Sequence, residues 1–225
     1  LALIYFAIAL GAYLLGSIPT GFLVGKAKGV DIRTVGSKNM GATNVFRTVG
    51  KWLGVLVLLV DGLKGYAACK VLAPLVFNFI APHFYGFNYK SPNGFFDAPF
   101  GEQPDDLQLK LLVIAGICAV LGHNFTCWLK FKGGKGIATT AGVYFALAPL
   151  AASIALGTWI VVVIATRYVS VASIVAAVVL PTAVWLTKDS LALDIVTTAL
   201  CLLAIFKHKK NIQRLLNGTE NRIGK

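Results

Sequence analysis

The chain has 225 residues, 57% of them hydrophobic and only 13% charged, an apolar excess that excludes an ordinary soluble domain. Its net charge of +12 would suit nucleic acid. The basic residues, however, lie in short segments flanking apolar runs, as expected of an all-α polytopic membrane protein, so no nucleic-acid partner is expected.

Residues 1–24 form a first apolar run long enough to span, with Gly16-Ser17-Ile18-Pro19 as a kink signal near its end. No basic segment precedes the run and its positive charges follow it, which predicts a retained helix and not a cleaved leader. The loop over 25–51 sets Lys26, Lys28, Arg33, Lys38, Arg47 and Lys51 against one acid, Asp31. At its centre is Gly36-Ser37-Lys38-Asn39-Met40-Gly41-Ala42-Thr43-Asn44. Glycines, hydroxyls and amides in that order can turn several donors toward one anion. The plain alternative is an ordinary polar connector between two helices.

Residues 52–81 make a second apolar segment interrupted by Asp61 and Lys64, whose i, i+3 spacing puts them on one helical face. They read either as a neutralised structural pair or as support for a site. From 82 to 108 aromatics, Pro, Gly and the acids Asp97, Glu102, Asp105 and Asp106 predict a turn-rich loop facing away from the cytoplasm.

A third span over 109–129 passes through Gly122-His123-Asn124, where a lone His near a helix end is commonly a structural group. A short basic loop follows, with Lys130, Lys132 and Lys135 around Gly133, Gly134 and Gly136. Juxtamembrane lysines alone serve as orientation signals. Paired glycines between them also allow close backbone approach to a ligand, and the flanking lysines suit phosphate. A Walker loop is excluded, because Gly136 follows Lys135 where Ser or Thr is needed.

Residues 137–207 are almost continuously apolar, with breaks at Pro149, Arg167-Tyr168 and Lys188-Asp189 that divide them into about four segments. The first, 137–150, is short for a vertical crossing. Ser170 and Ser173 share a helical face just after the second break, and a capping role is open to both. The tail is basic again, and His208, Asn211 and Arg214 recur at helical spacing within it.

Seven crossings put on one face six basic residues of the first loop, three of the second, Arg167 and six of the tail, which is 16 of 21. That face is then cytoplasmic, with the N-terminus outside and the C-terminus inside. The alternative would make 137–167 one tilted helix and throw Arg167 outward. Carboxylates on the inner face are limited to Asp31 and Glu220, which argues against a carboxylate dyad or a Ser-His-Asp arrangement. A His-x-x-x-x-Asp motif is absent, since Asn88, Trp128 and Gln213 stand five after His83, His123 and His208. Cys69, Cys118, Cys127 and Cys201 lack metal-ligand spacing, so neither a metal nor another cofactor is expected.

Gly-Ser-Lys-Asn-Met-Gly-Ala-Thr-Asn at 36–44, Asp-Gly-Leu-Lys-Gly at 61–65, Gly-His at 122–123, Phe-Lys-Gly-Gly-Lys-Gly-Ile-Ala-Thr at 131–139 and His-x-x-Asn-Ile-x-Arg-Leu from 208 resemble the PlsY family. These are bacterial membrane acyl-phosphate:glycerol-3-phosphate acyltransferases, and the likeness runs through nearly the whole chain in order. It implies one integral-membrane acyltransferase domain over 1–225, with seven helices in the inner membrane and an extracytoplasmic insertion at about 78–108. It also implies transfer of an acyl group from acyl phosphate to the 1-hydroxyl of sn-glycerol 3-phosphate. By motif, Ser37, Arg47, Lys135, Ser173, His208 and Asn211 would contact glycerol 3-phosphate. Asn39, Thr43, Asn44, Gly133, Gly134 and Gly136 would hold acyl phosphate, with Asp61, Lys64, His123, Lys132 and Ser170 in support. Two departures stand out: Lys38 where the family usually has Gly, and Thr126 where it usually has Pro.

Acyl phosphate is a mixed anhydride with a good leaving group, so positioning and charge stabilisation can suffice without a protein base. The cationic face also suits anionic membrane lipids or an enzyme delivering acyl phosphate. Two other readings remain open. An organophosphate transporter would need polar residues continuing to the outer face. A scaffold protein would leave the glycine-lysine loop unexplained.

Overall fold

The computed structural model describes residues 1–85, 104–188 and 190–224, and every regular element among them is helical. Leu-, Ala- and Val-rich runs satisfy their own backbone hydrogen bonds only as helices, which is what a hydrocarbon environment demands. Helix α1 (Ala2–Ser17) stops where Pro19 cannot donate, and α2 (Thr20–Ala27) resumes the direction, so together they form an apolar stretch of 26 residues. After α3 (Ala42–Thr48), helix α4 (Lys51–Ala67) passes through a π-helical turn (Ala68–Leu72) into α5 (Ala73–Tyr85). Then follow α6 (Pro104–Asn124), a 3-10 turn (Cys127–Leu129), α7 (Ile137–Leu147), α8 (Pro149–Thr166), α9 (Val169–Thr187), α10 (Leu191–Lys207) and α11 (Lys209–Leu216).

Among the described residues four stretches are long and apolar enough to cross a membrane: Ala2–Ala27, Leu107–Leu129, Pro149–Thr166 and Val169–Thr187. A fifth arises if α10 and α11, bent by 52°, count as one span, and α7 is a shorter apolar helix. Along α1 the exposed side chains are Leu3, Phe6, Leu10 and Leu14, while Ile4, Ile8 and Ala12 are buried. An apolar stripe facing outward at helical spacing is costly in water and neutral against lipid chains. The chain is a multi-pass membrane protein.

The described residues fall into two compact units. The first comprises 1–134 and 138–147, and the second 135–137 together with the chain from 148 onward. In the first, α1 packs along α6 at very short range, because Gly16 and Gly122 carry no side chain at the crossing. A Cβ on Gly16 would sit 2.1 Å from the Ala119 carbonyl oxygen, and one on Gly122 would sit 2.2 Å from that of Tyr13. Small residues that admit another backbone are how membrane helices gain contact where lipid offers no hydrophobic drive. In the second unit α9 lies between α8 and α10 as neighbours.

The breaks expected at Pro19, Pro149 and Arg167 are all present. Pro149 opens α8 within its first turn, where its missing N–H costs nothing, and Arg167 ends that helix in the left-handed conformation at φ 60°. The segment 82–108 differs at both ends from a continuous loop. Residues 82–85 extend α5 despite Pro82, and α6 begins at Pro104. Proline removes one internal hydrogen bond, and an apolar helix has nowhere better to place its remaining polar groups. The rest of that segment, 86–103, lies outside the described residues, as does Asp189 in the break before α10.

Candidate active site

In the first unit the loop between α2 and α3 is built around Asn44, a buried side chain at the start of α3. Its Nδ2 donates to the carbonyls of Ile32, Val35 and Asn39 at 3.1, 3.1 and 2.9 Å. Its Oδ1 accepts from the Ser37 N–H at 2.9 Å. One amide therefore fixes the course of residues 32–39 and delivers Ser37 and Asn39 to defined places. Ser37 is exposed, Asn39 and Arg47 are half-buried, and Thr43 and Arg47 share one face of α3 at i, i+4. Gly36 must be glycine: its φ is 56°, and a Cβ would meet Asn44 Oδ1 at 2.3 Å. Arg33 grips Asp31 through two side-chain hydrogen bonds of 2.9 and 2.7 Å. That holds the Asp31 carboxyl down at about 2 and occupies the acid of this cationic loop.

Behind the loop, α4 carries Asp61 and Lys64 in a nearly sealed pair, Nζ to Oδ1 2.8 Å. Thr20 donates to the same oxygen at 3.0 Å, and Lys64 also donates to the Ile18 carbonyl at 3.0 Å. That carbonyl lies in the α1–α2 break, so the buried charge satisfies backbone exposed by Pro19. His123 Nδ1 stands 3.7 Å from Asp61 Oδ1, within electrostatic reach but longer than a hydrogen bond.

The glycine loop lies directly on the end of α6. Gly134 donates its N–H to the His123 carbonyl at 3.0 Å. A Cβ on Gly133 would stand 2.1 Å from that carbonyl oxygen, and one on Gly134 would stand 2.1 Å from His123 Nε2. Paired glycines allow a ligand to approach the backbone, and here they also admit the chain's own residues. Their closest neighbour is the chain itself at His123 and Asn124, and the absence of side chains is what allows the two backbones to touch.

In the second unit Lys135 donates through Nζ to Asn211 Oδ1. Asn211 in turn donates to Glu220 Oε1 at 2.8 Å, Ser170 donates to the same oxygen at 2.9 Å, and Arg214 Nε donates to Oε2 at 2.7 Å. Glu220 thus gathers α9, α11 and the tail. Burial pushes its carboxyl up, but the hydrogen bonds from Asn211, Arg214 and Ser170 and the Arg214 charge outweigh that and hold it below the usual carboxylate range. His208 is buried at the bend between α10 and α11, its Nδ1 2.8 Å from the Ala204 carbonyl. A carbonyl can only accept, so Nδ1 carries the proton and Nε2 of the neutral ring is left as an acceptor. Ser173 donates to the Val169 carbonyl at 2.8 Å and accepts from Trp159 Nε1 at 3.3 Å. Neither serine caps α9, which starts at Tyr168 without a side-chain cap.

The structure therefore brings together Ser37, Asn39, Thr43, Asn44 and Arg47 in one cluster, and Asp61, Lys64, His123, Gly133 and Gly134 in a second, both in the first unit. Lys135, Ser170 and Asn211 join in a third within the other unit, where His208 reaches Asn211 through its backbone carbonyl at 2.8 Å. Lys132 is exposed beside the glycine loop, and Gly136 takes φ 85°. Glu220, Thr20 and Trp159 join these contacts without being among the candidate site residues of the sequence. Glu220 did carry a signal, as the single acid among the basic residues of the tail. Among the described residues no group of three or more His, Cys, Asp or Glu could hold a metal.

Helical membrane architecture with lysine, arginine, amide and hydroxyl donors gathered in polar loops, and with Asp31 and Glu220 engaged in ion pairs, defines a multi-pass membrane protein whose loops are rich in donors of the kind that bind anions. The family model described as glycerol-3-phosphate acyltransferase matches residues 6–218. Proteins named glycerol-3-phosphate acyltransferase from Geotalea daltonii and Fusobacterium nucleatum are 44% and 41% identical to this chain, covering 94% and 97% of it and the same shares of their own lengths. Among solved structures, the glycerol 3-phosphate form of PlsY, an integral membrane glycerol 3-phosphate acyltransferase, superposes with a TM-score of 0.78 at 35% identity, covering 98% of this chain and 96% of that one. The lysophosphatidic acid form gives 0.75 at 34%, covering 98% and 95%. This chain belongs to the glycerol-3-phosphate acyltransferase family.

Proposed function

We propose that the protein transfers a fatty acyl group from acyl phosphate to the 1-hydroxyl of sn-glycerol 3-phosphate, releasing 1-acyl-sn-glycerol 3-phosphate and inorganic phosphate. The observation that carries this reading is the full-length match to a family with structures in glycerol 3-phosphate and lysophosphatidic acid forms, the acceptor and the product of that transfer. The reaction is the first acylation of bacterial phospholipid synthesis, placed here in the inner membrane with its chemistry at the cytoplasmic face. The topology that goes with it has seven crossings, the N-terminus outside and the C-terminus inside, and an outer insertion around 78–108.

Ser37, Arg47, Lys135, Ser173, His208 and Asn211 are assigned to glycerol 3-phosphate. Asn39, Thr43, Asn44 and the glycines 133, 134 and 136 are assigned to acyl phosphate. The geometry gives Asn44 an indirect share, since its amide is already committed to shaping the loop that presents Ser37 and Asn39. Cationic donors stabilise the charge that builds on the carbonyl and phosphate oxygens as the acceptor hydroxyl attacks. Phosphate leaves with the bonding pair, and a substrate phosphate oxygen takes the hydroxyl proton. His208 is the protein group best placed by tautomer to compete for that proton, through Nε2.

The test is phosphate release by purified protein given acyl phosphate, with and without glycerol 3-phosphate, and acyl-CoA as a rival donor. Release that requires glycerol 3-phosphate and yields the 1-acyl product is expected. Turnover with acyl-CoA alone would remove the donor assignment, and hydrolysis indifferent to glycerol 3-phosphate would remove the transfer. In the same assay His208→Ala separates the two proton routes. Loss of the chemical step alone, with binding intact, would indicate a protein base.

A further inference from the structure

Asp61, Lys64 and His123 are not themselves assigned to a substrate, yet they form a buried ionic cluster in a membrane protein, where charge is expensive and is kept for a reason. The cluster joins three pieces of chain. Thr20 and the Ile18 carbonyl come from the α1–α2 break, Asp61 and Lys64 from α4, and His123 from the end of α6. What it leads to is the glycine loop. His123 receives the Gly134 N–H on its carbonyl and presses its ring against the Gly134 Cα, while Gly133 rests on the His123 and Asn124 backbone. A free imidazole could swing away from an added methyl group at Gly134. This ring is buried and faces a carboxylate that is itself tied to Lys64 and Thr20, so it has little room to yield.

We propose that Asp61, Lys64 and His123 are positioning residues that set the geometry of the glycine loop for the phosphate of the acyl donor, with the imidazole as the piece that transmits it. The inference rests on the assignment of that loop to acyl phosphate. It gives the buried pair a defined duty: a carboxylate fixed in place by Lys64 and Thr20 keeps the ring in one orientation, and the ring supports the backbone that meets the ligand. Positioning errors of an ångström at a binding loop cost far more than their size suggests, because the interactions they serve are short-ranged.

The decisive experiment is a double-mutant cycle on His123 and Gly134, which leaves the charged pair intact. Gly134→Ala alone is expected to lower kcat/KM at least tenfold, mainly through KM for acyl phosphate. In a His123→Ala background the same methyl group is expected to cost no more than about twofold, since the ring it collides with is gone. Equal penalties in both backgrounds would overturn the proposal, for the methyl would then be acting on the ligand directly. Asp61→Asn supplies the second arm, measured on folded monodisperse protein in detergent. A rise of fivefold or more in KM for acyl phosphate, with a weaker thermal shift on adding inorganic phosphate, supports positioning. An unchanged KM and an unchanged phosphate shift would reduce the cluster to a structural pair. Failure of the underlying assignment looks different, because wild-type protein would then neither turn over acyl phosphate nor respond to inorganic phosphate.

Discussion

Lys38 is the residue whose side chain and backbone disagree. Its φ of 58° is the left-handed conformation, which costs a residue with a Cβ about 1 kcal/mol and a glycine almost nothing. The family resemblance puts glycine at this position, and the dihedral supplies the reason. Lys38→Gly is therefore expected to stabilise the protein by about 1 kcal/mol, read as a higher midpoint of thermal unfolding in detergent; a lower midpoint would contradict it. Arg47 and Lys135 lie at the other extreme, being assigned to the substrate phosphates. Truncation of either to Ala removes a charge-assisted interaction worth about 1.5–3 kcal/mol, so kcat/KM should fall by roughly one to two orders of magnitude in the phosphate-release assay. Wild-type kinetics from both variants would sink the anion site. At this scale the sequence showed which residue types were present and hid what each was bonded to. Asn44 read as a ligand donor because amides bind phosphate. Its neighbours at Ile32, Val35 and Asn39 are carbonyls, and no side-chain pattern reveals a backbone acceptor.

Between elements, polar joints tie the helices where apolar packing alone is permissive. Thr126 is one. Its φ of −63° is the value proline would hold, so the family's usual residue fits the same backbone, but the hydroxyl here donates to the Ser17 carbonyl at 2.6 Å. Thr126→Pro keeps the turn and leaves that buried carbonyl short of a partner, a cost of about 1–3 kcal/mol visible in the same unfolding measurement. Glu220 is the other joint, linking Ser170, Asn211 and Arg214. Because its folded carboxyl titrates below the ordinary 4.5, the stabilisation it gives is complete above that value and is lost as pH falls through the lower, folded one. Glu220→Gln should flatten the acid limb of a stability–pH profile and lower stability near neutrality; an unaltered acid limb would show that the carboxylate is not holding the tail. The helix boundaries were legible because Pro19, Pro149 and the Arg167-Tyr168 pair interrupt apolar runs in recognisable ways. The Glu220 joint was not, because it depends on the chain turning back after α11 through Gly218 at φ 68°, and a turn of that kind sets no spacing that can be counted.

For the molecule as a whole, charge asymmetry is the strongest guide to how the chain threads the membrane, and it turns on Arg167. Helix α7 has 11 residues, about 16 Å of α-helix against a hydrocarbon layer of about 30 Å. Length alone therefore favours merging α7 with α8 into one tilted span. One observation opposes that. Pro149 begins a new helix after an Ala148 whose φ of −145° is not helical, so the two are separate elements. Arg167 also ends α8 in the left-handed conformation, and its carbonyl accepts from the Ile223 N–H of the basic tail at 2.8 Å. A residue hydrogen-bonded to the tail must lie on the tail's side of the membrane. The proposed orientation, with both basic loops and the tail inside, needs seven crossings, because a merged α7–α8 span would send Arg167 and the tail outside together. Alkaline phosphatase fused after Arg167 should accordingly be inactive and green fluorescent protein at the same point fluorescent. Fusions after Ser190, one helix further on, should show the reverse. An active phosphatase at Arg167 would instead make α7 and α8 one tilted span.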